Sequence, residues 1–432
     1  VIREAIVYLK DTQSNLSDTL KVTQYPEPKW KLNNDKLFAK YDMTELTHSF
    51  ECNIPFDVVF DEEVEWVKLK ETKSEDGQFK MVFELQPNTG EFFNRTKLRL
   101  ENEVLGLSFP LSLSQMYKTY DGHTVIWKKP TYNDPFASVP NFPRITFNFI
   151  LIGDGFTKEE IESGVYDLYC QEAMEGMESL EPFKTYSERF GFILLHAESA
   201  ESGCTDYNAT YGGPKVVDTR FKCSYDEFGT GMNCDYTAIQ EFVKTSIEGA
   251  GLDYIPTQDV VIVMANGKRY GGVANLTKSG EGVAICPVSE EPFPNNFVQI
   301  LRHEAGGHAF GKLADEYSFG GPIDASTASY LKSWQEAGMY LNVSMSSTEF
   351  PKPWQELKDR GKISDVYVGG FSCSGGVWRS SENSLMKGMD EGFNILSRYL
   401  IYLRMKNLRG EGMDFPAASL DDFLSRDKED TE

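Results

Sequence analysis

The stretch that decides the fold is His303-Glu304-Ala305-Gly306-Gly307-His308, followed a short way downstream by Asp315-Glu316-Tyr317. Two imidazoles with a carboxylate between them, and more carboxylates after them, form a set of groups that can hold a zinc ion. In the usual pattern, H-E-x-x-H, the two histidines lie at i and i+4 on one face of a helix. Here one extra residue separates them, so they lie at i and i+5.

A π-bulge would bring these two histidines onto one helix face. Five residues of a regular α-helix turn the chain by about 500°, which leaves the two side chains roughly 140° apart. A π-turn contains about 4.4 residues, so it returns i and i+5 to a common face, and such bulges are frequent at functional sites. Gly306 and Gly307 lie where the bulge must form, and a residue without a Cβ distorts easily. The sequence therefore predicts a π-bulge between His303 and His308.

The third metal ligand is predicted from the carboxylates that follow the motif. Gly311 marks a place where the helix can end and the chain can turn back, and Asp315 and Glu316 come soon after it. The other histidines all precede the motif, namely His48, His123 and His196. We favour Asp315 as the ligand, with Glu316 as the alternative or as a partner that orients a ligand histidine. Glu304 would be the general base that takes a proton from a metal-activated water molecule.

Residues 303–317, HEAGGHAFGKLADEY, resemble the bacterial metallopeptidase family named after IgA peptidase. Further matching pieces follow in the expected order, at residues 148–160, 197–203, 270–274 and 383–386. The resemblance implies a zincin fold of the metzincin type, one catalytic zinc ion and endopeptidase activity. It also implies a methionine turn beneath the metal, for which Met386 is the match and Met389 a weaker candidate.

Substrate contacts are assigned to residues on both sides of the motif. In zincins, which the chain resembles, an edge strand directly before the active-site helix pairs with the substrate. The residues in that place are small and would let a peptide backbone approach closely, namely Gly271, Gly272, Val273 and Ala274. Tyr317 is the candidate for stabilising the oxyanion. Arg379 could recognise an acidic or carbonyl group of the substrate, or form an ion pair within the protein.

The first part of the chain contains an internal repeat. Residues 3–9 and 20–24 read as two alternating strands, and residues 95–100 and 109–115 repeat the pair, with a glutamine ending the second strand each time. Further short alternating stretches lie between them, which predicts an all-β sandwich. The pattern resembles the BACON domain, an immunoglobulin-like module that would act as a spacer or bind glycans. Trp30 and Trp66 could form a sugar platform or belong to the core.

The peptidase-like part begins with alternating strands and helices. A buried strand is predicted over residues 145–152, and Thr157-Lys158-Glu159-Glu160 forms a capping box for a helix that runs to about residue 180. Strands are predicted over residues 191–197 and 259–265, with a helix over 238–249, and this alternation is typical of an α/β domain. Between them lies a Gly-rich surface excursion, in which Cys223 and Cys234 could pair in an oxidising compartment.

Composition narrows the classes of partner. The net charge of −23 argues against nucleic acid and against anionic membrane surfaces, and no apolar run approaches transmembrane length. The chain opens at Val1 with neither Met nor a signal peptide, so we interpret it as a mature or trimmed piece of a longer protein. We expect it to be secreted or anchored at the cell surface.

The predicted organisation is multidomain: an N-terminal all-β immunoglobulin-like sandwich followed by an α/β zincin domain of the metzincin type. Residues 1–25 would be the last strands of a preceding sandwich repeat, 26–116 the BACON-like sandwich, and 117–144 a linker. The zinc metallopeptidase domain would span 145–418, and 419–432 would form a frayed acidic tail. We expect an endopeptidase that acts on extracellular proteins, with immunoglobulin A suggested by the family name. The alternative is a non-catalytic glycan- or protein-binding surface protein with a peptidase-like domain.

Overall fold

The computed structural model describes the chain except for residues 1, 2, 15, 25, 26, 28, 33–35, 76, 91–93, 117–123, 133–145, 209, 211, 228, 408–416 and 430–432. The chain divides into two compact units, Val1–Lys118 and Thr119–Glu432. Across the residues that the structure describes, every helix is too short or too polar to cross a lipid bilayer.

The first unit is built from β-strands. Its strands are β1 (Arg3–Lys10), β2 (Ser17–Gln24), β3 (Trp30–Lys31), β4 (Lys36–Ala39), β5 (Glu45–Cys52), β6 (Asp57–Phe60), β7 (Val67–Glu75), β8 (Gln78–Leu85), β9 (Asn94–Asn102) and β10 (Leu107–Gln115). Two four-stranded sheets, in the orders β3-β5-β8-β7 and β4-β10-β9-β6, bury their inner side chains in one shared cluster. The predicted β-sandwich is therefore confirmed. Trp66 packs partly buried against this cluster, whereas Trp30 is 40% exposed and contacts Phe109.

The repeated strand pair has the same register in both copies. In the first, Arg3 lies opposite Gln24 and Val7 opposite Leu20; in the second, Asn94 lies opposite Gln115 and Leu98 opposite Leu111. The second pair is buried within the sandwich, but β1 and β2 form a separate two-stranded sheet that is exposed throughout. That residues 1–25 end a preceding repeat stays a prediction.

The second unit contains a mixed sheet with helices on both faces. The strands of this unit are β11 (Thr124–Lys128), β12 (Phe147–Asp154), β13 (Phe190–Leu195), β14 (Thr205–Asp206), β15 (Ser224–Tyr225), β16 (Met232–Asn233), β17 (Val260–Ala265), β18 (Val273–Leu276), β19 (Gly282–Pro287), β20 (Val343–Ser344), β21 (Tyr367–Gly370) and β22 (Cys373–Arg379). The main sheet has the order β11-β13-β12-β17-β19-β18. Its four inner strands run parallel, and the two edge strands are antiparallel to their neighbours.

The helices of this unit are α1 (Lys158–Glu162), α2 (Val165–Glu178), α3 (Tyr236–Gly249), α4 (Phe297–Leu301), a π-helix (Arg302–Phe310), α5 (Ala325–Glu336), α6 (Lys352–Asp359), α7 (Ile395–Asn407) and α8 (Ala417–Arg426). Because successive strand side chains point to opposite faces, Ile150 and Ile152 join a cluster with α3, whereas Phe147 and Phe149 contact Phe310 of the π-helix. The π-helix thus lies against the aromatic face of the central sheet.

Most local predictions for this unit are confirmed. The capping box at Thr157 is present, although Ser163 and Gly164 interrupt the helix between α1 and α2. The disulfide between Cys223 and Cys234 is formed. The Gly-rich excursion is not confined to the surface, because it contains β14, β15 and β16, and Tyr225 of β15 is buried against the α3 cluster.

Two boundary predictions are wrong. The predicted linker 117–144 contains β11, whose strand-favouring sequence Thr-Val-Ile-Trp pairs with β13; residues 133–145, including the predicted first residue of β12, lie outside the described residues. The predicted tail 419–432 contains most of α8, in which Leu420 and Phe423 are buried. An apolar pair at i and i+3 gives this acidic helix one face that packs against the rest of the unit.

Candidate metal centre

The helix that carries the histidines begins regularly and then widens. Asn296 caps α4 by accepting a hydrogen bond from the Gln299 N–H at 3.1 Å. From Arg302 to Phe310 the same helix continues as a π-helix. The prediction of a π-bulge is confirmed, and the i, i+5 spacing is the reason for it.

Three ligand atoms converge at this helix. His303 Nε2 and His308 Nε2 lie 3.1 Å apart, and each lies 3.1 Å from Asp315 Oδ1. Metal bonds of about 2.1 Å at tetrahedral angles would place ligand atoms about 3.4 Å apart, close to the observed separations, so the three atoms fit one metal ion. The structure therefore brings together the three residues predicted as ligands.

Backbone carbonyls fix the tautomer of both histidines. His303 Nδ1 lies 3.0 Å from the Leu385 carbonyl, and His308 Nδ1 lies 2.8 Å from the Leu313 carbonyl. Because a carbonyl only accepts, each Nδ1 carries a proton, so Nε2 is the atom of each ring that would bind a metal once the ring is neutral. Of the other histidines, His196 pairs with Asp167 at 2.9 Å, His48 belongs to β5 of the first unit, and His123 lies outside the described residues.

The charges of the cluster shift its pKa values in opposite directions. Burial raises the pKa of Asp315, but the charges and hydrogen bonds of His308 and His303 outweigh it and hold that pKa well below its usual range. Burial lowers the pKa of His308, but Asp315 and the charge of Glu304 raise it to about 9. Burial raises the pKa of the Glu304 carboxyl, and the two histidines offset only part of that rise. Such opposed shifts are typical of functional sites.

Gly307 lets Met386 pack directly against the π-helix. Met386 is fully buried in a turn closed by the Lys387 N–H, which donates to the Ser384 carbonyl at 2.9 Å. A Cβ on Gly307 would lie 2.9 Å from Met386 Cε and closer still to its Sδ, so any larger residue would force the Met386 side chain to shift. Met386 thus packs against the π-helix that carries both histidines. The Met389 carbonyl accepts a hydrogen bond from Gln299 Nε2 of α4 at 2.6 Å.

The chain reversal after the helix uses a different residue from the one predicted. Gly311 has a right-handed conformation, with φ −69°, and the left-handed residue is Lys312, with φ 54°. Gly311 is needed for close packing instead, because a Cβ there would lie 2.7 Å from the Gly307 carbonyl and 3.0 Å from Ile401.

Glu316 joins the segment after the π-helix to the turn that contains Met386. Its N–H donates to the Met386 carbonyl at 2.7 Å. Its buried carboxylate accepts hydrogen bonds from the Ser384 hydroxyl at 2.6 Å, the Asn342 amide at 2.9 Å and the Asn394 amide at 3.2 Å. The Glu316 carboxylate is thus bound by Ser384, Asn342 and Asn394, whereas the converging ligand atoms belong to His303, His308 and Asp315.

Gly272 brings the chain before the helix against Glu304. Its φ of 152° is in the region that favours glycine, and a Cβ there would lie 3.0 Å from both Cγ and Oε1 of Glu304. The Gly272 N–H donates to the Thr230 carbonyl at 2.9 Å. Gly271 packs against the same Thr230 carbonyl, because a Cβ on Gly271 would lie 2.7 Å from its oxygen. Of the two glycines, only Gly272 borders the Glu304 side chain.

Val273 and Ala274 begin β18, the outermost strand of the main sheet. They pair with Ile285 and Ala284 of β19, and both are half-buried. Among the described residues, no further strand of this sheet pairs with the outer side of β18. The edge expected before the active-site helix is therefore present.

Tyr317 and Arg379 have different surroundings. Burial, together with the charge of the nearby Asp315 carboxylate, raises the pKa of the Tyr317 hydroxyl. The Arg379 guanidinium donates to the carbonyls of Val368 at 2.6 Å and Gly369 at 3.1 Å. The structure thus places Tyr317 beside the metal cluster, whereas Arg379 is mostly buried and holds a loop.

Tyr270 is a further candidate to which the sequence analysis assigns no role. Burial and the charges of Glu304 and Asp315 raise the pKa of its phenol, which places this group beside the cluster. Its N–H donates to Glu291 Oε1 at 2.7 Å, which anchors the segment. The feature of the sequence that could have indicated a role for Tyr270 is its position two residues before Gly272.

A family model described as IgA Peptidase M64 matches residues 137–362, more than half of the chain. The chain belongs to the IgA peptidase M64 family. The M64 match includes Gly272, the π-helix and Asp315, whereas Met386 and Arg379 lie beyond its end. M64 peptidases are metallopeptidases, in agreement with the three converging ligand atoms.

Other comparisons gave distant similarities. A chain of a Dpr2 Ig1-Ig2 complex with DIP-Theta Ig1-Ig3 is 11% identical, with 26% of this chain and 40% of that chain covered and a TM-score of 0.17. Tandem immunoglobulin domains of titin are 11% identical over 27% of this chain and 63% of that chain, with a TM-score of 0.17. A Bacteroides ovatus GH5 xyloglucanase is 10% identical over 55% of this chain and 46% of that chain, with a TM-score of 0.18. The search of curated proteins gave no match.

Proposed function

We propose that this M64 peptidase is a zinc-dependent endopeptidase of the metzincin type that hydrolyses proteins outside the cell. The observation that carries the proposal is the convergence of His303 Nε2, His308 Nε2 and Asp315 Oδ1 at mutual distances of 3.1 Å. Two imidazoles and one carboxylate, with room for a further ligand, are the donor set of a catalytic zinc site. A zinc ion held there would polarise the peptide carbonyl and lower the pKa of water towards neutrality.

Glu304 is the proposed general base. It lies between the two ligand histidines in sequence, is buried, and has a raised pKa, so it can both accept a proton and release it. It takes a proton from the attacking water and passes it to the leaving amine. Gly272 lies directly against its side chain, which leaves the carboxylate few alternative positions.

The substrate backbone is proposed to add to the outer edge of β18, with Val273 and Ala274 as the contact residues. Gly271 and Gly272 bring the preceding segment close to Glu304. Tyr317 is the proposed donor to the developing oxyanion, because its hydroxyl lies close enough to Asp315 and Glu304 for their charges to act on it. Met386 supports the ligand histidines from below, as a methionine turn does.

A secreted or surface-anchored location is proposed from the disulfide between Cys223 and Cys234, since such bonds persist in oxidising compartments. The N-terminal sandwich is proposed as a BACON-like spacer. The substrate is a protein, and the family name makes immunoglobulin A the first one to test.

The test is cleavage of unfolded casein and of immunoglobulin A by the zinc-loaded chain, with Glu304→Gln as the matched variant. We expect the wild type to cut, and the variant to lose at least about 100-fold in rate with its zinc content unchanged. Removal of the metal by a chelator should abolish cleavage, and added zinc should restore it. A zinc-loaded wild type that cuts neither these proteins nor a mixed peptide library would contradict the proposal.

A further inference from the structure

An exposed aromatic side chain stands beside the metal cluster. Phe319 is 83% exposed, and its ring stacks on Tyr317 with centroids 4.5 Å apart and an angle of 26° between the planes. Tyr317 follows Asp315 by two residues, and the charge of that carboxylate acts on its hydroxyl. Phe319 is therefore separated from a metal-ligand candidate by a single side chain.

Backbone hydrogen bonds, and not burial of the side chain, hold Phe319 in this exposed position. The Ser372 carbonyl accepts hydrogen bonds from the N–H groups of Phe319 at 3.3 Å and Gly320 at 2.9 Å. The Ser372 N–H donates to the Tyr317 carbonyl at 3.1 Å, and the Phe371 N–H donates to the Asp315 carbonyl at 2.8 Å. The loop that presents Phe319 is thus tied on both sides to the segment around Ser372.

That segment contains backbone strain. Phe371 and Ser372 are consecutive non-glycine residues with φ 53° and 60°. A bulky residue rarely adopts this conformation, and strain of this kind persists mainly where a functional arrangement requires it. Here the strained pair supplies the carbonyl that fixes the loop, so the exposed position of Phe319 is imposed by the fold.

A second aromatic stack starts from the same segment. Tyr330 is 53% exposed and stacks on Phe371, with ring centroids 6.2 Å apart, and Tyr340 packs on Phe371 at 5.7 Å. Exposed apolar side chains grouped beside a candidate active site are typical of a surface that a ligand covers.

We propose that Phe319, supported by Tyr317, forms a wall of a subsite that binds a bulky apolar side chain of the substrate next to the cut bond. This inference rests on the proposed endopeptidase function and adds to it a substrate class: peptides with Leu, Phe or a similar residue beside the cleavage point. The occupant is a peptide side chain because whatever covers Phe319 lies beside Asp315, where the peptide bond must be held.

The experiment compares matched peptides that differ only at the residues flanking the cut, which are Phe, Leu, Ala or Asp in turn. For the zinc-loaded wild type we expect kcat/KM to be at least about tenfold higher with Phe or Leu than with Ala at one of the two positions. Phe319→Ala should remove most of this preference and leave the Ala peptide within about twofold of the wild type. Phe293→Ala is the matched control, since Phe293 is 59% exposed and should leave the preference unchanged.

A binding measurement separates recognition from turnover. Glu304→Gln loaded with zinc should bind a fluorescent Phe peptide more tightly than its Ala counterpart, and the difference should vanish in the Glu304→Gln/Phe319→Ala double variant. Cleavage by Phe319→Ala with the wild-type preference would overturn this inference and leave the endopeptidase function intact. An equal loss of preference in Phe293→Ala would overturn it too. A zinc-loaded wild type that cleaves no peptide would overturn both proposals.

Discussion

Replacing Gly307 with alanine tests why the π-helix contains glycine at this position. The added Cβ would lie 2.9 Å from Met386 Cε, whereas carbon atoms in good contact are about 3.5–4.0 Å apart. Overpacking of this kind costs about 1–3 kcal/mol, and the better helix propensity of alanine returns up to about 1 kcal/mol. We therefore expect Gly307→Ala to lower the free energy of unfolding by about 1–2 kcal/mol.

The matched control is Gly306→Ala. Its Cβ would come no closer than 3.3 Å to Met177 Cε and the Phe183 ring, so these neighbours need to move by only a few tenths of an ångström. We expect the free energy of unfolding of this variant to lie within about 0.5 kcal/mol of the wild type, because the helix propensity of alanine offsets the tighter contact.

The decisive assay is a double-mutant cycle measured by urea unfolding of the metal-free protein. Met386→Ala removes the side chain that the new Cβ would strike. In that background Gly307→Ala should be neutral or stabilising, so that the sign of its effect changes and the coupling exceeds about 1 kcal/mol. An equal loss of unfolding free energy in both backgrounds would show that the clash with Met386 is not the cause.

Two further predictions concern the metal. Because the pKa of His308 is raised to about 9 in the metal-free protein, zinc must displace a proton below that pH. The apparent zinc association constant should rise about tenfold per pH unit up to about pH 9, measured by chelator competition; a plateau from about pH 6.5, the ordinary histidine value, would contradict it. Glu316→Gln replaces an acceptor with an amide that faces the donors Ser384, Asn342 and Asn394. It should weaken zinc binding by about 10–100-fold, whereas Glu356→Gln, which alters a carboxylate that accepts from Tyr399 instead, should not. Equal zinc affinity of the two variants would show that Glu316 does not position the site.

The centre of the site could be predicted because its geometry follows from local spacing. Two histidines at i and i+5 can meet only through a π-bulge, and adjacent glycines permit one. Asp315 could be predicted in the same way, because it is a carboxylate soon after the chain turns back. The capping box at Thr157 also depends on neighbouring residues alone.

What could not be predicted depends on residues far apart in the chain. Glu316 is held by Asn342, Ser384 and Asn394, and no short pattern joins these positions. Gly307 looks like a residue needed for the bulge, but its contact with Met386 is a second reason that only the fold shows. The helix α8 was missed because its acidic composition concealed the apolar pair that buries it.

The measurement that tests the central claim most directly is the zinc content of the purified chain, by elemental analysis, in the wild type, in His308→Ala and in His48→Ala. His48 lies in the N-terminal sandwich, so its replacement controls for the loss of a histidine as such. We expect one zinc ion per chain in the wild type and in His48→Ala, and loss of that ion in a folded His308→Ala. A folded wild type that takes up no zinc on reconstitution, or a His308→Ala variant that holds it with wild-type affinity, would contradict a shared site at i and i+5.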